Sequence, residues 1–148
     1  MKKILFLLII AVSVIFSAYA DDKIKIKVNG AVLSSFKNDF RHTTSVSWKQ
    51  HGHLFIASFT QFDGNYQAYY TSDGNLLGFL STAAIDDLPH DVRKVLNKRF
   101  VSAQFLSVSR FYSISNGLSF IVGLSDNGRN KFVHINRNGT VESVTSIK

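Results

Sequence analysis

The sequence predicts an α+β fold made of two tandem repeats, each a helix followed by a four-stranded antiparallel meander. Three observations lead there. First, apolar patterns recur at a fixed spacing: Leu54-Phe55-Ile56-Ala57-Ser58-Phe59 is echoed 65 residues later by Ser119-Phe120-Ile121-Val122-Gly123-Leu124, with Tyr70 on Ile135 and Gly74 on Gly139. Recurrence of a pattern suggests recurrence of a supersecondary unit. Second, Leu33, Phe36 and Phe40 form a helical stripe, and Val92, Val95, Leu96 and Phe100 form another, with Phe36 and Phe40 falling on Leu96 and Phe100 at a spacing of 60. Third, the segments between are punctuated by Asp73-Gly74, Asn116-Gly117, Asn127-Gly128 and Asn138-Gly139, pairs that supply the positive φ angles of tight hairpins.

The elements follow in order. Residues 1–20 read as a secretory signal peptide: Lys2 and Lys3 begin it, an apolar run covers Ile4 to Phe16, and Ala18-Tyr19-Ala20 forms the cleavage site. The apolar run is shorter than the ~20 residues that span a bilayer. One domain, residues 21–148, follows, with its repeats at about 30–80 and 86–145. Lys23-Ile24-Lys25-Ile26-Lys27-Val28 alternates as a strand with one charged face. Lysines protect a sheet edge in this way; contact with anionic lipid or an acidic partner is the other reading. The first helix is expected over 30–42 and its strands at 46–50, 53–60, 66–71 and 76–80. Asp86-Asp87-Leu88-Pro89 opens the second helix, with proline at the first helical position and Asp91 complementing the helix dipole. Strands at 105–112, 117–125, 130–136 and 140–145 complete the chain.

Composition narrows the function. The 148 residues carry a net charge of +7; without Lys2 and Lys3 the 17 bases become 15 against 10 acids, leaving +5. These bases are scattered and the expected address is periplasmic or secreted, so nucleic acid is not an expected partner. There is no cysteine, which excludes a lipoprotein anchor, disulfides and thiolate metal sites. Histidines 42, 51, 53, 90 and 134 are the only imidazoles, and Glu142 is the only glutamate. His51-Gly52-His53 has no nearby acid to complete a metal site. No serine sits in a Gly-x-Ser-x-Gly elbow. Asp63-Gly64-Asn65 and Asp73-Gly74-Asn75 lack the spaced acids of a calcium loop. The expectation is a protein that is not an enzyme and carries no cofactor or metal.

Strand parity assigns faces. Phe55, Ala57 and Phe59, like Phe120, Val122 and Leu124, are expected under the helices. The opposite face carries Leu54, Ile56, Tyr69, Ile121, Phe132 and His134, a candidate partner-binding surface. The plainer alternatives are ordinary half-apolar sheet, or the two repeats packing on each other. Phe62 and Tyr66 flank one hairpin turn and Tyr112 leads into another. Aromatics at such ends anchor protein partners or stack on sugar rings.

Taken together, the helix, Val46-Ser47-Trp48, Leu54-Phe55-Ile56-Ala57-Ser58-Phe59, Asp73-Gly74-Asn75-Leu76-Leu77, the second helix opened by Leu88-Pro89 and the closing Asn138-Gly139 resemble the small exported proteins of Bacteroidetes described as beta-lactamase-inhibitor-like and PepSY-like. The resemblance covers nearly all of residues 21–148 and rests on order and spacing. It implies the tandem α+β fold of the beta-lactamase inhibitory protein, with sheets side by side in a concave face. It also implies a periplasmic or secreted location, and no catalytic residues. The single glutamate, the basic charge and the lack of disulfides depart from that pattern. The functional expectation is an exported, non-enzymatic protein-binding module, with peptidase- or inhibitor-like regulation in the cell envelope. Its expected partner is another exported or envelope protein, and the mature chain has no transmembrane segment. The alternative is a small-ligand or glycan-binding envelope protein.

Overall fold

Asn29 starts the first helix. Its side-chain oxygen accepts from the Val32 N–H at 2.9 Å, satisfying one of the donors a helix start leaves open. In the computed structural model, which describes residues 26–147, helix α1 spans Gly30–Asp39. Phe40 ends it in extended conformation while its N–H still bonds to the Phe36 carbonyl. Strands β1 (Thr44–His51), β2 (Leu54–Gln61), β3 (Gly64–Thr71) and β4 (Leu76–Ala83) follow. A short 3-10 turn at Ile85–Asp87 leads into helix α2 (His90–Arg99). Pro89 stands just before its first residue, so the missing proline N–H again costs no helical bond. Strands β5 (Gln104–Ser113), β6 (Gly117–Asp126), β7 (Arg129–Asn136) and β8 (Val141–Ser146) end the chain.

The structure corrects the expected pair of tandem helix-plus-meander repeats. All eight strands form one antiparallel sheet, in chain order from β1 to β8. β4 and β5 pair from Gly78↔Ser113 to Ala83↔Val108, so no boundary divides the sheet. Periodicity along a strand reports which residues alternate between faces; it carries no information on whether a strand is an edge. Pairing β4 with β5 satisfies two rows of backbone N–H and C=O groups that two separate sheets would leave open. Gly78 permits the approach: a Cβ there would lie 2.5 Å from the Tyr112 carbonyl oxygen and 3.0 Å from the Phe111 ring.

Both helices cover the same side of the sheet. Under α1, Val32, Phe36 and Phe40 bury against Phe55, Ala57, Phe59, Ala68 and Tyr70. Under α2, Leu88, Val92, Leu96 and Phe100 bury against Val108, Phe120, Val122, Leu124, Val133 and Ile135. Each of the valine, leucine, isoleucine and phenylalanine side chains contributes about 1.5–3 kcal/mol by leaving water. The lysine-alternating segment is not an edge strand where it is described: Ile26 and Val28 lie outside any strand and pack against the α1 cluster. Lys23 and Lys25 lie outside the described residues, as do residues 1–20 of the expected signal peptide. Among the described residues no helix is long and apolar enough to cross a membrane.

Candidate binding face

The side of the sheet away from the helices is organised by cross-strand pairs. Ile56 stands opposite Tyr69, Leu80 opposite Phe111, and Ile121 opposite His134. Residues at these positions project to one side because successive side chains alternate. They meet in a third cluster of Ile56, Tyr69, Leu80, Phe111, Ile121 and Phe132, with Leu77 and Ile147 packed against it. Tyr69 meets Phe111 edge-on, with ring centres 6.4 Å apart. The Tyr69 hydroxyl donates to Gln67 Oε1 at 3.1 Å, and burial pushes this phenol far above its usual range.

Of the six face residues named from the sequence, Ile56, Tyr69, Ile121 and Phe132 meet in this cluster and His134 pairs with Ile121, but five of the six are buried. Tyr69 is 0 % exposed, His134 2 %, Ile56 and Ile121 5 %, and Phe132 7 %, whereas Leu54 is half-buried. These side chains supply shape and rigidity rather than free contact area. The three turn aromatics separate. Phe62 is 83 % exposed in the β2–β3 turn. Tyr66 stacks on Phe59 and Tyr112 on Phe79, both toward the helix-covered side.

One polar constellation escaped the sequence reading. His134 Nε2 lies 2.8 Å from Ser119 Oγ, and Nδ1 lies 3.0 Å from Glu142 Oε2. The carboxylate sits off the direction of the ring N–H, so this second contact is a close approach of charge rather than an aligned hydrogen bond. Ser119 Oγ also lies 3.4 Å from the Phe111 carbonyl. The shorter contact, with a carboxylate beside Nδ1, favours the tautomer protonated on Nδ1 and accepting from Ser119 at Nε2. Burial lowers the His134 pKa, and Glu142 partly opposes that shift. The order Ser–His–Glu is that of a hydrolytic triad. Here the serine is 7 % exposed within a central strand, and its role is to satisfy a buried imidazole. The only sequence signal was the placing of His134 and Glu142 on adjacent strands, which register alone turns into a contact.

A hollow of about 400 Å³ opens at the other end of this face. Three cross-strand pairs supply its polar walls: Ser58 and Gln67, Thr60 and Asn65, Thr82 and Ser109. Buried Leu80, opposite Gln67, adds an apolar surface. Ser45, at a positive φ of 53° in the β1 irregularity, borders it. Among the described residues, no group of three His, Cys, Asp or Glu side chains converges as a metal site.

No family model and no curated protein matches the chain. Solved structures do. A BLIP-like protein from Bacteroides fragilis superposes with a TM-score of 0.73 at 15 % identity, over 86 % of this chain and 92 % of that one. A DUF2874 family protein from Bacteroides ovatus gives 0.74 at 14 % identity, over 82 % and 89 %. A protein from Bacteroides eggerthii, described as a candidate periplasmic protein, gives 0.76 at 13 % identity, over 82 % and 91 %. At such identities the likeness is one of fold. It supports the BLIP-like part of the resemblance seen in the sequence; none of these neighbours is PepSY-like by description.

Proposed function

We propose that the chain is an exported, non-enzymatic protein-binding module that regulates an envelope partner in an inhibitor-like manner. The carrying observation is a single eight-stranded sheet whose second side, braced by the Ile56–Phe132 cluster, has no helix of the described residues packed on it. A rigid platform of this kind binds without a large ordering cost. The BLIP-like and candidate periplasmic descriptions of its structural neighbours support the same reading. Contact falls to exposed and half-exposed residues around the buried cluster, including Lys49, Leu54 and the Phe62 turn.

The test is capture of envelope proteins from the encoding organism on immobilised protein. A Lys49→Glu/Leu54→Lys variant alters the open side, and Lys94→Glu on α2 serves as the control. A partner kept by the wild type and the α2 variant but lost by the open-side variant supports the proposal. A partner indifferent to the open-side change refutes the location. Protein that captures nothing while remaining folded counts against the module itself.

A further inference from the structure

The two hairpins β2–β3 and β6–β7 correspond residue by residue at a spacing of 65, and they differ at the hollow. Ser58 faces Gln67 across β2–β3; the corresponding pair in β6–β7 is Gly123 and Phe132. A Cβ on Gly123 would lie 3.2 Å from the Phe132 ring, so there the ring lies close over the sheet backbone. The first hairpin leaves the equivalent space open and lines it with hydroxyls and an amide.

The turns differ as well. Asn127 and Gly128 close β6–β7 with φ of 50° and 73°, the residue types such a turn favours. Phe62 and Asp63 close β2–β3 with φ of 47° and 60°. Phenylalanine is poorly suited to the left-handed region, and its ring is 83 % exposed. A turn that folds most easily with asparagine instead holds a solvent-facing ring, two positions beyond the hollow's Thr60. An observed backbone outlier of this kind points toward function.

We infer that the hollow is a binding site for an uncharged saccharide, with Phe62 as an aromatic platform at its rim. The chemistry fits on three counts. Ser58, Thr82 and Ser109 each offer a hydroxyl, which donates and accepts as a sugar hydroxyl does, while Thr60 donates to Asn65 Oδ1 at 3.4 Å and so offers its oxygen as an acceptor. Asn65 and Gln67 add amides, and the Gln67 carbonyl oxygen is already engaged by Tyr69, which leaves its NH₂ as a donor. Among the described residues, the side chains of Ser58, Thr82 and Ser109 have no hydrogen-bond partner. Leu80, Phe59 and Tyr66 in the lining supply apolar surface for the C–H faces of a pyranose, and the exposed Phe62 ring stands in the turn two positions beyond Thr60. Among the described residues lining the hollow none is charged, so nothing there repays the desolvation of a phosphate or carboxylate. The volume lies within the range of small-molecule sites. Apart from the Phe62 turn, this site uses residues other than those of the protein-binding proposal, and it does not rest on that proposal.

The experiment is titration calorimetry and thermal shift of the purified protein with chitotetraose, maltotetraose and cellotetraose. Tetragalacturonate serves as the charged control. At least one neutral sugar is expected to bind and raise Tm by mass action. Phe62→Ala and Thr82→Val are expected to weaken that sugar by about tenfold, as for the loss of a contact at the centre of a site. Gln67→Phe, which copies the filled hairpin, should abolish binding; if it does not fold, the two exposed-site variants still decide. The Lys49→Glu/Leu54→Lys variant should bind sugar normally, which separates this site from partner capture. Co-sedimentation with insoluble chitin and cellulose distinguishes a polysaccharide ligand from a free sugar, and either result supports the site. No response to any neutral sugar at millimolar concentration overturns it. So does a response to tetragalacturonate alone, or binding unchanged by Phe62→Ala and Thr82→Val.

Discussion

The β2–β3 and β6–β7 hairpins share register and length of turn, yet fill their open side differently. Ile56 and Tyr69 in the first correspond to Ile121 and His134 in the second, and all four are buried. Beyond them the first hairpin has the open Ser58–Gln67 pair and the second the packed Gly123–Phe132 pair. The helix-covered side shows a parallel contrast. Around α1 the filling is aromatic: Phe36 meets Phe59 at 5.1 Å and Trp48 at 5.2 Å, and Phe40 meets Phe59 at 4.8 Å. Around α2 it is mostly aliphatic. The frame is therefore set by backbone pairing and strand parity, and it accepts different fillings where the total volume is matched. Where the Gly123–Phe132 pair is matched by Ser58 and Gln67, the frame does not collapse, and a hollow remains.

The largest effect should come from emptying the filled hairpin. Phe132→Ala is expected to cost about 3–5 kcal/mol, through lost burial and the cavity left behind. Gln67→Ala at the matching position of the open hairpin should cost less, about 1–3 kcal/mol, because its half-buried side chain leaves little cavity but its loss strips the buried Tyr69 hydroxyl of its acceptor. Chemical denaturation of both variants checks the contrast, and equal losses would break it. The seam that joins the halves comes next. Gly78→Ala should cost about 1–3 kcal/mol, since its new Cβ meets the Tyr112 carbonyl at 2.5 Å; a neutral effect in the same assay would show that β4 can move from β5.

The pH dependence sharpens the contrast between Tyr69 and His134. The folded-state pKa of His134 lies below its ordinary value of 6.5, chiefly through burial. Protonation therefore favours the unfolded chain, which binds the proton more readily. The stability this group contributes is fully present above about pH 6.5 and is lost as pH falls below it. Thermal melts at descending pH should show this loss. Glu142→Gln should deepen it, by removing the attraction that opposes burial. A loss unchanged in Glu142→Gln would mean that the carboxylate does not act on the ring. The smallest effect belongs to the turn. Phe62→Asn installs the residue of the matching turn and should raise stability by about 1 kcal/mol, by relieving an unfavourable φ; a fall would show that the ring packs against the protein.

Much of the local structure was legible. The Leu33–Phe36–Phe40 and Val92–Leu96–Phe100 stripes located both helices, and alternation located eight strands, because periods of 3.6 and 2 are set by backbone geometry within one element. Phe55, Ala57 and Phe59 lie under α1 as parity required. The turn chemistry was less legible. At Phe62-Asp63-Gly64-Asn65 it is Phe62 and Asp63, not the glycine, that take the positive φ, and Gly64 begins β3. The register of β2 on β3 decides that, through pairs such as Thr60↔Asn65.

The chain by itself determined which segments become helix and strand, and which residues share a face, since these depend on neighbours a few positions away. Only the tertiary structure decided that β4 pairs with β5 to make one sheet, since that bond joins strands separated by a helix. It likewise decided that Ile56, Tyr69, Ile121 and Phe132 are buried on a side no described helix covers. The meeting of Ser119, His134 and Glu142, and the hollow beside Ser58 and Gln67, also arise there. Each depends on which strands lie side by side and in what register, and long-range pairing is the information that local periodicity does not carry.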